Sequence, residues 1–467
     1  MKNELKERAL FESAPIMQAI LKLALPTVIG QIIGVIYNMA DTFFIGQTGS
    51  EVMVTSVTIC MPAFMFLTAI SNLFGVGGSS VISRALGQGR NDRAKNAAAF
   101  AMWGCLVVTA LYALLALLFR DTFMNLLGGT HEQVHIHAVR YLMVTVVICG
   151  IGTTMSNLLA HLVRSEGRSL QASVGIGLGG ILNIALDPLF MFVILKPGNE
   201  VLGAAIATGL SNIISMIYFI CILYRDRNKM VISFTPSKAM MQDGLPVDIL
   251  SIGLPACLMT LCENISYAVL DNLMSTHGII MQAGIGVAKK VNMLAHCMVR
   301  GMAQGVLPLI GYNFASGNHR RMRQAVLIST TISVCLATVC MVISLAFSEP
   351  LIGLFIQNGT DSVVYGAKFL RILCIGGPFS ACAYAFISFF QATGNGLRSF
   401  ILAILRKGVL DIPMMFILNG IIPIFGIVWA TPIADIVCCI IAIILFVEFL
   451  KNRTNLMDDS VGLEYDD

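Results

Sequence analysis

The sequence predicts an all-α polytopic membrane protein, twelve transmembrane helices in two pseudo-symmetric six-helix bundles. Three observations predict it. Of the 467 residues, 57% are hydrophobic and only 12% charged, and the mean hydropathy of +0.82 lies far above that of a soluble domain. Apolar runs near or above the ~20 residues that cross a bilayer as a helix recur along the whole chain, leaving no room for a soluble domain. Residues of the first half also return in the second at a nearly constant offset.

Breaks at Gly, Pro and charge clusters centre the spans near Val35, Leu67, Val107, Val147, Ile181, Ile213, Leu261, His296, Ala337, Phe379, Leu410 and Ile440. The first covers residues 23–45 and carries Gln31, Gly34, Tyr37, Asn38 and Asp41, spaced three or four apart and therefore on one face. Such a polar stripe must point into protein or water, and a carboxylate kept in hydrocarbon marks an ion or substrate pathway. The fifth, residues 174–195, repeats the pattern with Asn183 and Asp187, and Pro188 removes a backbone donor just after the acid. Hydrogen bonding between helices is the competing, purely structural use of these groups. The seventh holds Glu263, Tyr267 and Asp271 on one broad face, and the eighth holds Lys289, Lys290 and Arg300, which are expected to pair with second-half acids more than to meet a substrate. Asp411 and Asp435, in the last two spans, are expected to be structural pairs because Arg406 and Lys407 lie close to the former in sequence.

Lys and Arg orient the chain. Lys2, Lys6 and Arg8 and the loops after every even span (Arg84, Arg90, Arg93, Lys95, Arg164, Arg168, Arg225, Arg227, Lys229, Lys238, Arg320, Arg321, Arg323, Arg398) are basic, whereas the other loops offer little beyond Arg120 and Lys196. Both termini are expected in the cytoplasm, at a cell (plasma) membrane, with no cleaved signal peptide. Leu25-Pro26 returns as Leu254-Pro255, Gly49 as Gly278, Gly77 as Gly305, Gly89 as Gly317, Arg93 as Arg321 and Arg168-Ser169 as Arg398-Ser399, always 228 to 230 residues on. Six helices per unit is even, so both units enter from the same side. The expected divisions are a first lobe 1–224, a cytoplasmic linker 225–246, a second lobe 247–450 and a solvated tail 451–467. Asp41 has Leu270 as its repeat counterpart and Glu263 has Gly34, so the halves differ where they ionise.

Several chemistries are set aside. The net charge of +4 is spread over many loops and forms no basic stripe for nucleic acid. Thirteen cysteines lie mostly in apolar runs without a CxxC pair, which reads as small core residues. His131, His135 and His137 are spaced for a metal only if helical, and their polar surroundings read as a short loop, so no metal site is expected. No GxxxxGK[ST], HExxH or GxSxG occurs, so neither ATP-driven pumping nor enzymatic activity is expected. Twenty-six Met and 26 Phe suit an adaptable apolar cavity, although they also fill ordinary helix interfaces.

The segment Tyr37-Asn38-Met39-Ala40-Asp41-Thr42-Phe43-Phe44-Ile45-Gly46, followed by Gly49, resembles the first-helix motif of the multidrug and toxic compound extrusion (MATE) transporters. Residues 84–93, Arg164-Ser165-Glu166-Gly167, residues 183–188, Gly203-Ala204-Ala205-Ile206-Ala207-Thr208 and Gly253-Leu254-Pro255 extend that resemblance over the whole chain. It implies a V-shaped pair of lobes and efflux of organic cations or amphiphilic compounds driven by H⁺ or Na⁺. In the DinF-like branch the ion site maps onto Asp41, Asn183, Asp187 and Thr208, with Asn157 a looser match. In the NorM-like branch an acid stands just beyond the Gly-Leu-Pro motif, the place of Glu263, with Tyr267 and Asp271 beside it.

The resulting expectation is a secondary antiporter with its coupling ion in the first lobe and Gln31, Tyr37 and Asn38 in the substrate cavity. It would work as a monomer among membrane lipids on small-molecule substrates, without cofactor other than the ion. Because desolvation favours a neutral carboxyl, H⁺ is the expected ion ahead of Na⁺. A lipid-linked oligosaccharide flippase of the related superfamily is the alternative, and it would show more cationic inner faces.

Overall fold

The computed structural model describes residues 9–127, 131–355 and 361–462, without the side chains of Leu126 and residues 453–462. Lys2, Lys6 and Arg8 of the charge argument, and the final residues 463–467 of the expected tail, lie outside them. The described chain is helical, without strands.

Twelve spans follow in order: α1 (Ile16–Gln47), α2 (Glu51–Gly87), α3 (Asn91–Leu118), α4 (Glu132–Leu142 and Gly150–Ser165), α5 (Ser169–Pro188 continued by Leu189–Ile194), α6 (Glu200–Arg225), α7 (Leu245–Ser275), α8 (Ile279–Ala315), α9 (His319–Ala346), α10 (Asp361–Ile375 and Gly377–Ala392), α11 (Gly396–Ile404 through Ile412–Ile421) and α12 (Phe425–Gly462). Among the described residues nine helices are long and apolar enough to cross a membrane unbroken, and two bent pairs, α4 at 50° and α10 at 42°, bring the count to 11. The segment α11, cut by a π-helical stretch Leu405–Asp411, is the twelfth. Outward side chains such as Leu21, Val107, Leu111, Leu118, Ile181 and Ile217 are exposed and apolar, as lipid requires.

Helix ends follow local chemistry. Ser50 caps α2 by accepting from the Met53 amide, and Asn318 caps α9 by accepting from Arg321. Gly49 and Gly278 close the matching turns after α1 and α7 with φ of 64° and 110°, and Gly89 and Gly317 close those after α2 and α8 with 70° and 78°. Left-handed backbone at these turns explains why the repeat keeps glycine there.

One feature differs from expectation. His131 precedes, and His135 and His137 belong to, the helix Glu132–Leu142 rather than a loop, because Glu132 starts a turn whose apolar face packs on α2. His135 Nε2 lies 3.1 Å from Asp121, and among the described residues no three metal-binding side chains converge. The described part of the expected tail, residues 451–462, is helical and continues α12.

The halves pack together at only one end. A shared core there joins Ile20, Leu23 and Ala24 of α1 to Leu309 of α8, Phe389 of α10 and Ala442 of α12. The crossings are backbone-close: a Cβ on Gly253 of α7 or Gly77 of α2 would overlap a carbonyl oxygen, of Leu73 and Ile249 respectively, and one on Gly305 of α8 would lie 2.6 Å from the Ala24 Cα. At the opposite end each half has its own core, around Ile45, Leu67 and Tyr141 in one and Leu270, Met274 and Phe369 in the other. A V results, closed at the end bearing the N-terminus.

Candidate functional site: uncompensated acids beside an interlobe cavity

Asp41 lies near the far end of α1, Asn183 and Asp187 stand one turn apart on α5, and Thr208 comes from α6; packing of α5 against α1 and α6 brings them together. All four are buried, Asp187 completely and Asp41 to 6% residual exposure. The Asn183 amide nitrogen donates to Asp187 Oδ1 and to Thr208 Oγ1, each at 3.2 Å. Asp41 Oδ1, Asn183 Oδ1 and Asp187 Oδ2 are buried without a hydrogen-bond partner. Among the described residues neither acid has a Lys, Arg or His in ion-pair contact. Buried anions without compensation are costly, which makes this group a candidate cation site. The helix beneath is loosened as well. Directly after Pro188, which lacks a donor, the chain runs as π-helix from Leu189 to Ile194.

Two cavities adjoin this group. The larger, about 470 Å³, lies between the halves and is lined by Asp41 and Asn38 on one side and by Tyr267, Asp271 and Lys290 on the other, with Met61, Met65 and Met293 supplying apolar wall. The inner one, about 210 Å³, is polar and carries Gln31, Tyr37, Asn38, Asn157 and Asn183. Asn38 faces both and holds its amide on the Gly34 carbonyl at 2.7 Å. Asn157 bonds its own helix at Thr153, 2.9 Å, rather than Asp187, and Gln31 reaches Gln304 of α8 across the halves at 3.2 Å.

The second-half acids are arranged differently. Glu263 receives Arg300 on both oxygens at 3.0 Å and the Tyr384 hydroxyl at 3.4 Å, in a small separate cavity. Asp271 pairs with Lys289, and the Tyr267 ring lies 5.4 Å from Lys289 and 5.5 Å from Lys407. Glu263 therefore does not share a pocket with Tyr267 and Asp271. Asp411 accepts from Ser266, Lys407 and Thr431 at 2.6 to 2.9 Å, and Asp435 pairs with Arg406 at 2.7 Å. Every one of these second-half acids has a cationic partner; the two first-half acids have none.

Tyr141 on α4, buried and within the electrostatic reach of Asp41, Asp187 and Tyr37, escaped the sequence reading, as did Gln304. Both had a signal at helical spacing, His137 four residues before Tyr141 and Arg300 four residues before Gln304, which would have marked the face.

Twelve helices in two related halves around a cavity, with uncompensated acids in its wall, define a membrane transporter. The family model MatE matches this chain twice, over residues 26–189 and 255–417, and the protein belongs to the MATE family. The double match falls on the two halves of the internal repeat. The chain is 30% identical over 447 residues to the multidrug export protein MepA of Staphylococcus aureus strain MRSA252, and 29% identical over 443 residues to MepA of Staphylococcus saprophyticus, covering 95% of this chain and 96% of each relative. Among solved structures it superposes on a MATE protein in complex with MaL6 with a TM-score of 0.86 at 25% identity, covering 96% of this chain and 98% of that one. An outward-facing multidrug resistance MATE transporter of the MOP superfamily gives 0.85 at 25% identity, over 96% of this chain and 97% of that one.

Proposed function

We propose that the protein is a multidrug exporter of the cell membrane that expels amphiphilic compounds, organic cations among them, in exchange for H⁺ bound at the Asp41–Asn183–Asp187–Thr208 group. The observation that carries this reading is the pair of buried carboxylates with free oxygens and no counter-charge, next to an apolar cavity large enough for a drug-sized molecule. Both termini are assigned to the cytoplasm, which makes the conformation described here outward-facing. A proton taken up from outside neutralises the acids and removes the cost of enclosing them, so the inward-facing state gains relative stability; coupling needs only that differential preference. The protein is taken to act as a monomer, without cofactor other than the ion and without nucleic-acid partner. The flippase alternative calls for cationic inner faces, whereas this cavity sets Asp41 and Asp271 beside Lys289 and Lys290 in a largely apolar wall.

The test is efflux of ethidium from proteoliposomes under an imposed pH gradient with Na⁺ rigorously absent. Transport under that gradient supports H⁺ exchange; transport only on adding a Na⁺ gradient overturns it.

A further inference from the structure

Two arginines related by the repeat, Arg93 and Arg321, stand third in α3 and α9, and each reaches out of its own lobe. Arg321 of the second lobe donates through Nε to the Phe11 carbonyl at 2.6 Å and through Nη2 to the Leu10 carbonyl at 3.2 Å, in a short helical turn, residues 9–12, that leads into α1. Asn313 of α8 adds a second donor to the Phe11 carbonyl at 3.2 Å, and the Tyr312 hydroxyl donates to Glu12. Arg93 of the first lobe mirrors this arrangement. It pairs with Asp248 in the first turn of α7 at 2.5 Å and lies 3.5 Å from the Asp243 carbonyl, just after the short turn Lys238–Met241 that leads into α7. Phe11 is itself wedged between the lobes. Its buried ring stacks on Tyr312 of α8 at 5.0 Å, and a Cβ on Gly167, in the first-lobe loop between α4 and α5, would stand 3.1 Å from it. Phe11 belongs to the shared core at the closed end of the V.

We infer that Arg321 with Phe11, and Arg93 with Asp248, form two cross-lobe latches that hold this end of the V shut, and that both must let go before the cavity opens to that side. The inference rests on the exporter reading, which requires the lobes to part there, and adds the contacts that set the balance between the two states. Parting the lobes draws Arg321 and Tyr312 away from Gly167, and Phe11 cannot stay against both. A guanidinium on carbonyl oxygens makes charge-assisted bonds, stronger than neutral ones. Water entering the opened end replaces them, so each latch is worth little enough in net terms to be broken in every cycle. The two latches are unequal. The Arg93 and Asp248 side chains are 25% and 46% exposed, as in a weak surface pair, whereas the Arg321 latch closes over a buried ring.

The experiment reads the gap at the closed end by double electron–electron resonance on the full-length protein in nanodiscs. Spin labels are carried by unnatural amino acids at Gln88 after α2 and Ser316 after α8, both exposed, so that the 13 native cysteines stay in place. Those helix ends lie together in this structure, since a Cβ on neighbouring Gly87 would overlap the Tyr312 carbonyl. The wild type is expected to show a major short distance and a minor long one. Arg321→Gln and Phe11→Ala should each raise the long-to-short ratio about tenfold, and Arg93→Gln about threefold. Arg93→Gln combined with Arg321→Gln should raise it by the product, about thirtyfold, because separate contacts biasing one equilibrium add in free energy. Arg321→Lys, which keeps the charge and one donor direction, should fall between the wild type and Arg321→Gln. Melting curves accompany each variant: a lower melting temperature with an unchanged ratio would make these contacts ordinary packing and overturn the inference. Should Arg321→Gln fail to insert, Arg93→Gln at its exposed pair decides, and an unchanged ratio there overturns the inference as well. Ethidium export by the wild type under a pH gradient tests the exporter reading separately, so a distance shift without export removes that reading and leaves the latches standing.

Discussion

Asn183 donates to Asp187 one helical turn further along α5, at 3.2 Å, and this single bond satisfies only one of the two carboxylate oxygens. The second oxygen and Asp41 Oδ1 remain bare in the protein interior. An amide at either position would supply hydrogen-bonding capacity without the ability to alternate between charged and neutral forms. Asp41→Asn and Asp187→Asn are therefore each expected to reduce gradient-driven efflux to background while membrane insertion and thermal stability hold or rise, since a buried uncompensated charge is removed. Efflux assays on reconstituted protein, paired with melting curves, check this; wild-type drug resistance in Asp41→Asn would sink the coupling assignment.

Glu263 is in the opposite situation. Both its oxygens accept from Arg300, so its charge is already answered within the protein. Glu263→Gln should retain gradient-driven transport with altered rate or substrate preference. Its stability cost should be modest, about 1 kcal/mol, because Gln still accepts from Arg300 and the Arg300 side chain is 31% exposed to the cavities. Complete loss of coupling in this variant, with Asp187→Asn tolerated, would move the ion site to the second half.

The first-half group was legible in the sequence because Asp41, Asn183 and Asp187 break apolar runs at helical spacing. The π-helical stretch after Pro188 was foreshadowed by the missing donor. The fates of Lys289, Lys290 and Arg300 were not legible: which of two adjacent lysines meets Asp271 depends on how α8 is rotated against α7, a tertiary quantity. Lys407 and Asp411, four residues apart, announced their pairing locally, whereas Arg406 meets Asp435 from another helix. The π-helical stretch Met143–Ile148 and the bend at Gly150 follow no proline, and no local residue predicted them. The repeat, in contrast, was fully visible, since turn glycines are dictated by backbone geometry.

Gly253 gives a test of the closed end of the V. Its Cα lies against the Leu73 carbonyl so tightly that any Cβ would overlap it, and backbone cannot move aside as a side-chain tip does. Gly253→Ala should destabilise the conformation described here by about 1–3 kcal/mol, as overpacking does. The expected readout is a lower melting temperature together with increased thiol labelling of a cysteine placed at Leu73 on the α2 face of the crossing. Unchanged labelling and melting would show that α2 and α7 are not held at this separation.

Beyond the spans, Asp226 follows α6 and receives Arg168 Nη1 at 2.9 Å and Arg225 at 3.3 Å. The Arg225 hydrogen bond, aided by the charge of Arg168, holds its carboxyl below the usual carboxylate range despite some desolvation. A carboxyl whose pKa is lower folded than unfolded contributes stability above the unfolded value, and that contribution is lost as pH falls through the folded one. Asp226→Asn should therefore cost about 1 kcal/mol at neutral pH, and the gap between variant and wild type should close on acidification below the ordinary aspartate range. Melting temperatures of both proteins from neutral pH down to about 3, spanning that range, check it. A gap that stays constant or widens on acidification would show that the Asp226 charge does not hold the start of the linker against the loop between α4 and α5.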